Sequence, residues 1–291
     1  MFDKNKFEYA IFFLFSQITR IFGFNGIKYF AKIVAVIFYY VLKIRRKVVL
    51  SNLKTAFPLL NENEIASLAY RNYYSFSIAI LEMMLMPYIS KKKLHDIVDS
   101  ENIELVKQKY ELNRGVILLT AHFGNWEYGA AAISSKLDIP FNVLAKPQRN
   151  PYITRWLKSI RERFGSKEIL LGISVREIIA ALRKGGIVGI VGDQRGSIDS
   201  PRIKYFGQDT ATFTGMGSIA LKLNSPVVTA FVVRQDTGKY KVIFDEMKTD
   251  DIEGTLDEKV IEFNQKYMSL LESYVRQYPE QWFWMHKIWK Y

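Results

Sequence analysis

His122 and Glu127 lie five residues apart in the segment His122-Phe-Gly-Asn-Trp-Glu127, directly after the apolar run Val116-Ile-Leu-Leu-Thr-Ala121. A neutral imidazole can take a proton from a hydroxyl near neutral pH, and a carboxylate can orient the ring and stabilise its charged form. The same spacing also fits a capping carboxylate beside a half-buried histidine, and geometry decides between the two. Other reactive residues also follow apolar runs. Asp193-Gln194-Arg195 comes after Ile187–Val191, with Gly192 and Gly196 suited to a bent backbone. Taken alone, it reads as a surface turn. Lys146-Pro-Gln-Arg149 comes after Phe141–Ala145 and leads into a segment carrying Arg155, Arg161 and Arg163. Their planar guanidinium forks could grip phosphate or carboxylate. A solvated helix face is the plainer reading for Arg155, less so for Arg161. Tyr205-Phe-Gly207 and Thr210-Ala-Thr212-Phe-Thr214 read as a loop feeding a helix N-terminus, where an anion can bind.

The elements that must position these residues alternate in type. Residues 48–110 read as helices: Asn61 can cap one, residues 73–86 form a long apolar stretch, and Pro87 ends it. Strands are expected at Val116–Thr120, Phe141–Ala145, Ile187–Val191, 226–234 and 240–244. Helices are expected at about Trp126–Lys136, 151–164, 174–184, 214–223 (capped by Thr214) and 257–276. Short apolar strands spaced by helices predict an α/β fold with a mostly parallel sheet flanked by helices. No internal repeat, low-complexity segment or linker is evident.

Composition bounds the partners. The chain has 291 residues, a net charge of +12, 14% aromatics, three histidines and no cysteine. No thiolate nucleophile or disulfide is possible, and a structural zinc site is not expected. Residues 1–50 hold nine Lys/Arg, two Asp/Glu and thirteen aromatics. The uncharged stretch of residues 33–42 is short of the ~20 residues that span a bilayer. Snorkelling of Lys28 and Lys32 would extend it. Helices lying in the membrane interface are the preferred reading, with ordinary core helices as the alternative. Lys43-Ile-Arg-Arg-Lys47 directly afterwards fits a cytoplasmic juxtamembrane position. The division expected is 1–45, membrane-associated helices, and 46–291, the catalytic domain. Nucleic-acid motifs are absent, so no nucleic-acid partner is expected.

His122-Phe-Gly-Asn-Trp-Glu127 resembles the H-x4-D/E signature of glycerolipid-type acyltransferases, most closely the late acyltransferases of bacterial lipid A biosynthesis. The resemblance runs through Arg45-Arg46-Lys47, Asn52-Leu53, Ala56-Phe57-Pro58, Glu82, Lys146-Pro-Gln-Arg-Asn-Pro151, Arg161-Glu-Arg-Phe-Gly165, Gly192-Asp193-Gln194, Phe206-Gly207 with Thr212, and Trp282-Phe-Trp-Met-His286 with Trp289-Lys290. It implies transfer of a fatty acyl group from acyl carrier protein or acyl-CoA to a lipid hydroxyl. The acceptor would be a lipid A precursor, or else an aminolipid, phosphoglycolipid or phosphatidylinositol mannoside. A membrane-bound inactive homologue is the non-enzyme alternative. In the implied chemistry His122 is the base, Glu127 holds it in the required tautomer, and Arg161 stabilises the oxyanion, with Arg163 as its substitute. Asp193 would position the acceptor or Arg161. Asn125, Trp126, Lys146, Arg149, Arg163, Gln194, Gly207 and Thr212 would contact substrate. No metal or cofactor is implied, and the expected location is the cytoplasmic face of the inner membrane.

Overall fold

The computed structural model describes residues 3–171 and 174–290. The helices are α1 Lys4–Val36, α2 Arg46–Ala56, α3 Glu62–Leu85, α4 Lys91–Ile97, α5 Glu104–Tyr110, α6 Trp126–Lys136, α7 Pro151–Arg163, α8 Ser174–Arg183, α9 Gly215–Leu223 and α10 Leu256–Gln277. The strands are β1 Val98–Asp99, β2 Val116–Thr120, β3 Phe141–Ala145, β4 Ser166–Leu170, β5 Ile187–Val191, β6 Arg202–Tyr205, β7 Gln208–Ala211, β8 Val227–Arg234 and β9 Tyr240–Glu246. Seven strands form one sheet in the order β1-β9-β8-β2-β5-β3-β4. Every pairing is parallel except β8 with β9. The α/β class expected from the strand-helix alternation is therefore the observed one.

Successive side chains on a strand face opposite ways. Accordingly Val116 and Leu118 of β2 join the core under α6, α7 and the C-terminal half of α3. Ile117 and Leu119 join the core under α8, α9 and α10. With both faces covered, β2 is apolar throughout and carries no alternation, which is why its sequence reads as a continuous hydrophobic run.

Several boundaries depart from the sequence reading. β1 interrupts the expected helical region. β4 was not anticipated: it is an edge strand whose Ser-Lys-Glu-Ile-Leu sequence mixes polar with apolar residues. Residues 202–211 form an antiparallel hairpin in place of the expected loop, with Phe206 and Gly207 both at positive φ in its turn. Thr214 precedes α9 but makes no side-chain cap. By contrast, Asn61 begins α3 through a capping box with Glu64, a device that contributes about 1 kcal/mol.

α1 is docked along its length. Asn150 Nδ2 donates to Asn5 O (2.8 Å), Ser16 Oγ to Met84 O (3.0 Å), Gln17 Nε2 to Tyr88 Oη (2.6 Å), and Tyr74 Oη to Lys28 O (3.2 Å). Ile27, Ala31 and Val34 enter the α3 core. The other side of the helix exposes Phe7, Phe13, Leu14, Ile21, Phe22, Tyr29 and Ile33.

A buried polar network ties α3 to the sheet. Arg234 Nε donates to Tyr240 Oη (2.8 Å) and its Nη1 to Ser75 Oγ (2.8 Å). Tyr240 Oη donates to Glu82 Oε2 (2.5 Å), which also accepts from Asn125 Nδ2 (2.8 Å). Burial raises the Glu82 carboxyl above its ordinary value, against the pull of Arg234 and the two hydrogen bonds. Replacing Arg234 by Ala removes a buried cation while leaving its partners in place. The loss of these hydrogen bonds should cost about 1–3 kcal/mol, read as a lower midpoint in denaturant unfolding of the purified protein.

Candidate active site

β2 and β5 are adjacent, and their last residues, Thr120 and Val191, are paired in register. His122 and Asp193 each lie two residues further on, so the register itself brings them together. His122 Nδ1 is 2.8 Å from Asp193 Oδ1, and His122 N donates to Asp193 Oδ2 (2.9 Å). Trp282 Nε1 donates to Asp193 Oδ2 as well (2.8 Å). The turn after His122 is forced tight. Gly124 has φ +56°, and a Cβ there would lie 1.9 Å from Val232 O, so no other residue fits. Gly192 meets a similar limit, since a Cβ would press to 2.8 Å of Leu119 Cδ1 and 3.1 Å of Tyr267 Cε1.

The partner of His122 is thus Asp193, not Glu127. With Nδ1–H donated to Asp193, the Nε2 lone pair is left as the basic position. Glu127, one residue into α6, faces Arg161 of α7 in a two-pronged pair: Nε to Oε2 at 3.0 Å and Nη2 to Oε1 at 2.5 Å. Arg161 Nη1 also reaches Glu168 Oε1 of β4 (2.5 Å). Three of the five guanidinium N–H groups are engaged this way, leaving two to point elsewhere. Two carboxylates around one guanidinium make the cluster net negative. Arg161 thus offers fixed hydrogen-bond donors more than net positive charge.

The charges bias His122. Burial opposes its protonation, but the charge and hydrogen bond of Asp193, with a longer-range contribution from Glu127, outweigh burial and raise its pKa above the ordinary value. Asp193 is fully buried, which would raise it, yet His122, His286 and Trp282 bring it down to about 2. His286 is a further residue at the site, its ring centroid 5.0 Å from that of His122. Burial, opposed by Asp193, lowers it to about 4, so it stays neutral, and its buried Nε2 has no hydrogen-bond partner among the described residues. His286 was visible in the sequence only as part of the terminal aromatic motif; nothing in its spacing linked it to His122.

His122, Asp193 and His286 could each offer a metal one atom, all within 4.8 Å. Both Asp193 oxygens are already engaged by His122 and Trp282, so the trio suits proton transfer better than metal binding.

The C-terminal segment closes the site although residues 282–290 form no helix or strand. Phe283 N donates to His122 O (3.0 Å) and Gly124 N to Gln281 O (2.9 Å). Its carbonyls are satisfied by side-chain amides. Asn72 Nδ2 reaches Glu280 O and Trp282 O, and Asn52 Nδ2 reaches Trp284 O and His286 O.

A cavity of about 520 Å³ opens beside His122, Glu127 and Arg161. It runs between α3, α6, α7 and the sheet over Ile80, Met83, Leu118, Ile133, Phe141, Val143 and Leu157. Trp126, Lys146 and Gln194 also line it. Other expected contact residues lie elsewhere. Asn125 is buried, accepts from Tyr128 N to cap α6, and is held by Glu82. Arg163 donates to Ile89 O. Arg149 is exposed outside the lining, Gly207 sits in the hairpin turn, and Thr212 is buried opposite Arg195.

The sequence profile described as bacterial lipid A biosynthesis acyltransferase matches residues 5–291. The chain is 25% identical over 258 residues to the lipid A biosynthesis palmitoleoyltransferase of Escherichia coli K12, covering 86% of this chain and 80% of that protein. It is also 25% identical over 255 residues to the lipid A biosynthesis lauroyltransferase of the same organism, with the same coverage. A lipid A biosynthesis acyltransferase of Haemophilus influenzae is 27% identical over 166 residues, 56% of this chain and 52% of that protein.

The two ion pairs make separable predictions. If neutral His122 is the base, activity is lost as pH falls through its raised pKa, so the acid limb of kcat/KM should lie above pH ~6.5. Asp193→Asn removes the charge that does most to raise that pKa, leaving burial opposed by the more distant Glu127. Its acid limb should move to lower pH and its plateau should fall by up to ~10⁴-fold, the scale seen in serine-protease triads. Glu127→Gln should lower the plateau with a much smaller shift of the limb, because its main partner is Arg161.

Proposed function

The chain belongs to the bacterial lipid A biosynthesis acyltransferases, and from that premise we propose that it moves a fatty acyl group from acyl carrier protein to a hydroxyl of a lipid A precursor without an acyl-enzyme. It is an O-acyltransferase of the late type. The observation carrying the mechanism is the His122–Asp193 pair, with no partner at Nε2 among the described residues and His122 lining a largely apolar cavity.

In this reading the acceptor O–H gives its proton to His122 Nε2 as its oxygen attacks the thioester carbonyl. Asp193 holds the ring and stabilises the imidazolium. The tetrahedral oxyanion takes hydrogen bonds from the spare N–H groups of Arg161, which Glu127 and Glu168 keep aimed. One such donor contributes ~3 kcal/mol. Collapse breaks the C–S bond, and the leaving thiolate takes the proton from His122. The acyl chain occupies the apolar cavity, whose volume is in the range of small-ligand sites, about 300–1,000 Å³.

The site works at a membrane through α1. By length and composition the helix of residues 4–41 could cross one. A crossing helix would have to leave the domain to traverse ~30 Å of hydrocarbon, stripping contacts that run from Asn5 to Tyr39. We read it as an in-plane anchor with its inner side on α3 and its aromatic outer side in the lipid interface, at the cytoplasmic face of the inner membrane.

His122→Ala should abolish transfer, a loss of at least ~10²–10⁴-fold, measured with acyl carrier protein and a lipid A precursor. Near wild-type turnover in a folded variant would sink the assignment. The donor is tested by charge. Arg149, Arg155 and Lys158 are exposed on and just before α7, suited to steering an acidic carrier. Changing all three to Glu should depress turnover with acyl carrier protein far more than with acyl-CoA, and the difference should shrink as salt rises.

A further inference from the structure

Around the mouth of the cavity, three loops expose bulky apolar side chains. Leu171 and Phe213 line the cavity and are 42% and 46% exposed. Leu170 (39%), beside Leu171, ends β4, and Val175 (58%) lies at the start of α8. Ile198 (60%) stands on the loop after β5. That loop is fixed to the Phe213 segment by Gly196 N donating to Ala211 O (2.9 Å) and by pairing of Arg195 with Thr212. Leu171 N donates to Ala145 O (2.9 Å), which sets its loop at the C-terminal end of β3, beside Lys146. Isolated exposed apolar residues need no explanation, but a cluster rimming one opening does.

The rim also has a fixed relation to α1. The mouth loop 146–149 continues into Asn150, which caps α7 and donates to Asn5 O and Glu8 Oε2. Tyr9 packs on Tyr152 and Phe12 on Trp156. The N-terminal turns of α1, with Phe7, Phe13 and Leu14 exposed, are thereby joined to the same loop that borders the cavity. Lys146 and Arg176, both exposed, supply positive charge at the rim.

The geometry points to a second lipid-contacting surface, formed by Leu170, Leu171, Val175, Ile198 and Phe213, which seats the cavity mouth directly on an anionic bilayer. It rests on the reading of α1 as a membrane anchor and adds to it. α1 holds the protein to the membrane, while the rim lets a lipid acceptor reach His122 without its acyl chains crossing water. Apolar side chains would enter the acyl boundary, and Lys146 and Arg176 would meet phosphates, an arrangement whose strength depends on lipid charge.

The chain has no cysteine, so single substitutions label cleanly. Ile198→Cys and Phe213→Cys report the rim, Tyr29→Cys reports α1, and Leu112→Cys is a control at the opposite end of the sheet, on the loop entering β2. Each full-length variant is labelled with bimane, checked for fold by circular dichroism, and mixed with phosphatidylethanolamine/phosphatidylglycerol vesicles carrying a nitroxide-labelled phospholipid. Blue shift and quenching at positions 198, 213 and 29, but not at 112, support the proposal. Quenching at 29 with positions 198 and 213 behaving like 112 overturns the rim and leaves the anchor standing. Absence of quenching at all positions removes the anchor and the rim together. A shift at 198 on adding acyl carrier protein without vesicles would reassign the surface to the carrier. Equal quenching in purely zwitterionic phosphatidylcholine vesicles would overturn the role given to Lys146 and Arg176.

Discussion

A carboxylate with no access to water must find donors or lose its charge, and Asp193 is such a group. Its two oxygens accept from the His122 ring, the His122 backbone and the Trp282 indole. An unmet buried group of this kind costs ~1–3 kcal/mol, more when charged. Much of the architecture follows from this requirement. Trp282 must be delivered to Asp193, so the irregular C-terminal segment has to lie against residues 122–124. That segment has carbonyls without a ladder to join, and Asn52 and Asn72 satisfy them from α2 and α3. His122, a helical layer and the C-terminal segment are thus bound into one arrangement by the solvation of one side chain.

The site keeps its charges in two compartments. His122 and Asp193 form one pair, while Glu127, Arg161 and Glu168 form a separate cluster bridging α6, α7 and β4. Between them the Gly124–Asn125 turn is pinned from below by Glu82, itself tied to Tyr240. Backbone strain, buried carboxylates and close approach concentrate where groups have to be held against their solvation preferences, as expected of a preorganised site.

What could be read in the sequence divides along physical lines. Strands β2, β3 and β5 are legible to the residue, because burial makes them short, mostly apolar runs. β4 and the β6–β7 hairpin were not, because an edge strand and a polar hairpin have no apolar periodicity to report. The candidate residues could be located, but their pairing could not. Spacing suggested Glu127 for His122, since both sit in one short segment. The register of β2 against β5 instead delivers Asp193, a partner 71 residues away. Such a contact is created by sheet topology, and no local pattern encodes it. His286 was missed for the same reason, since it arrives through a segment without regular structure.

The way the C-terminal segment completes the site also bears on the order in which the protein can mature. Asp193 is joined to Trp282 across 89 residues, and Asn52 to His286 across 234. Contacts of such sequence separation form late, because loop closure must precede them. The central strands can pair while the tail is still unplaced, leaving His122 without the wall formed by residues 281–286. The complete surroundings of His122 and Asp193 are therefore a property of the finished tertiary structure, assembled late in folding. A partly folded chain whose C-terminal segment is still unplaced would not yet have the enclosed surroundings of His122 that the folded chain shows.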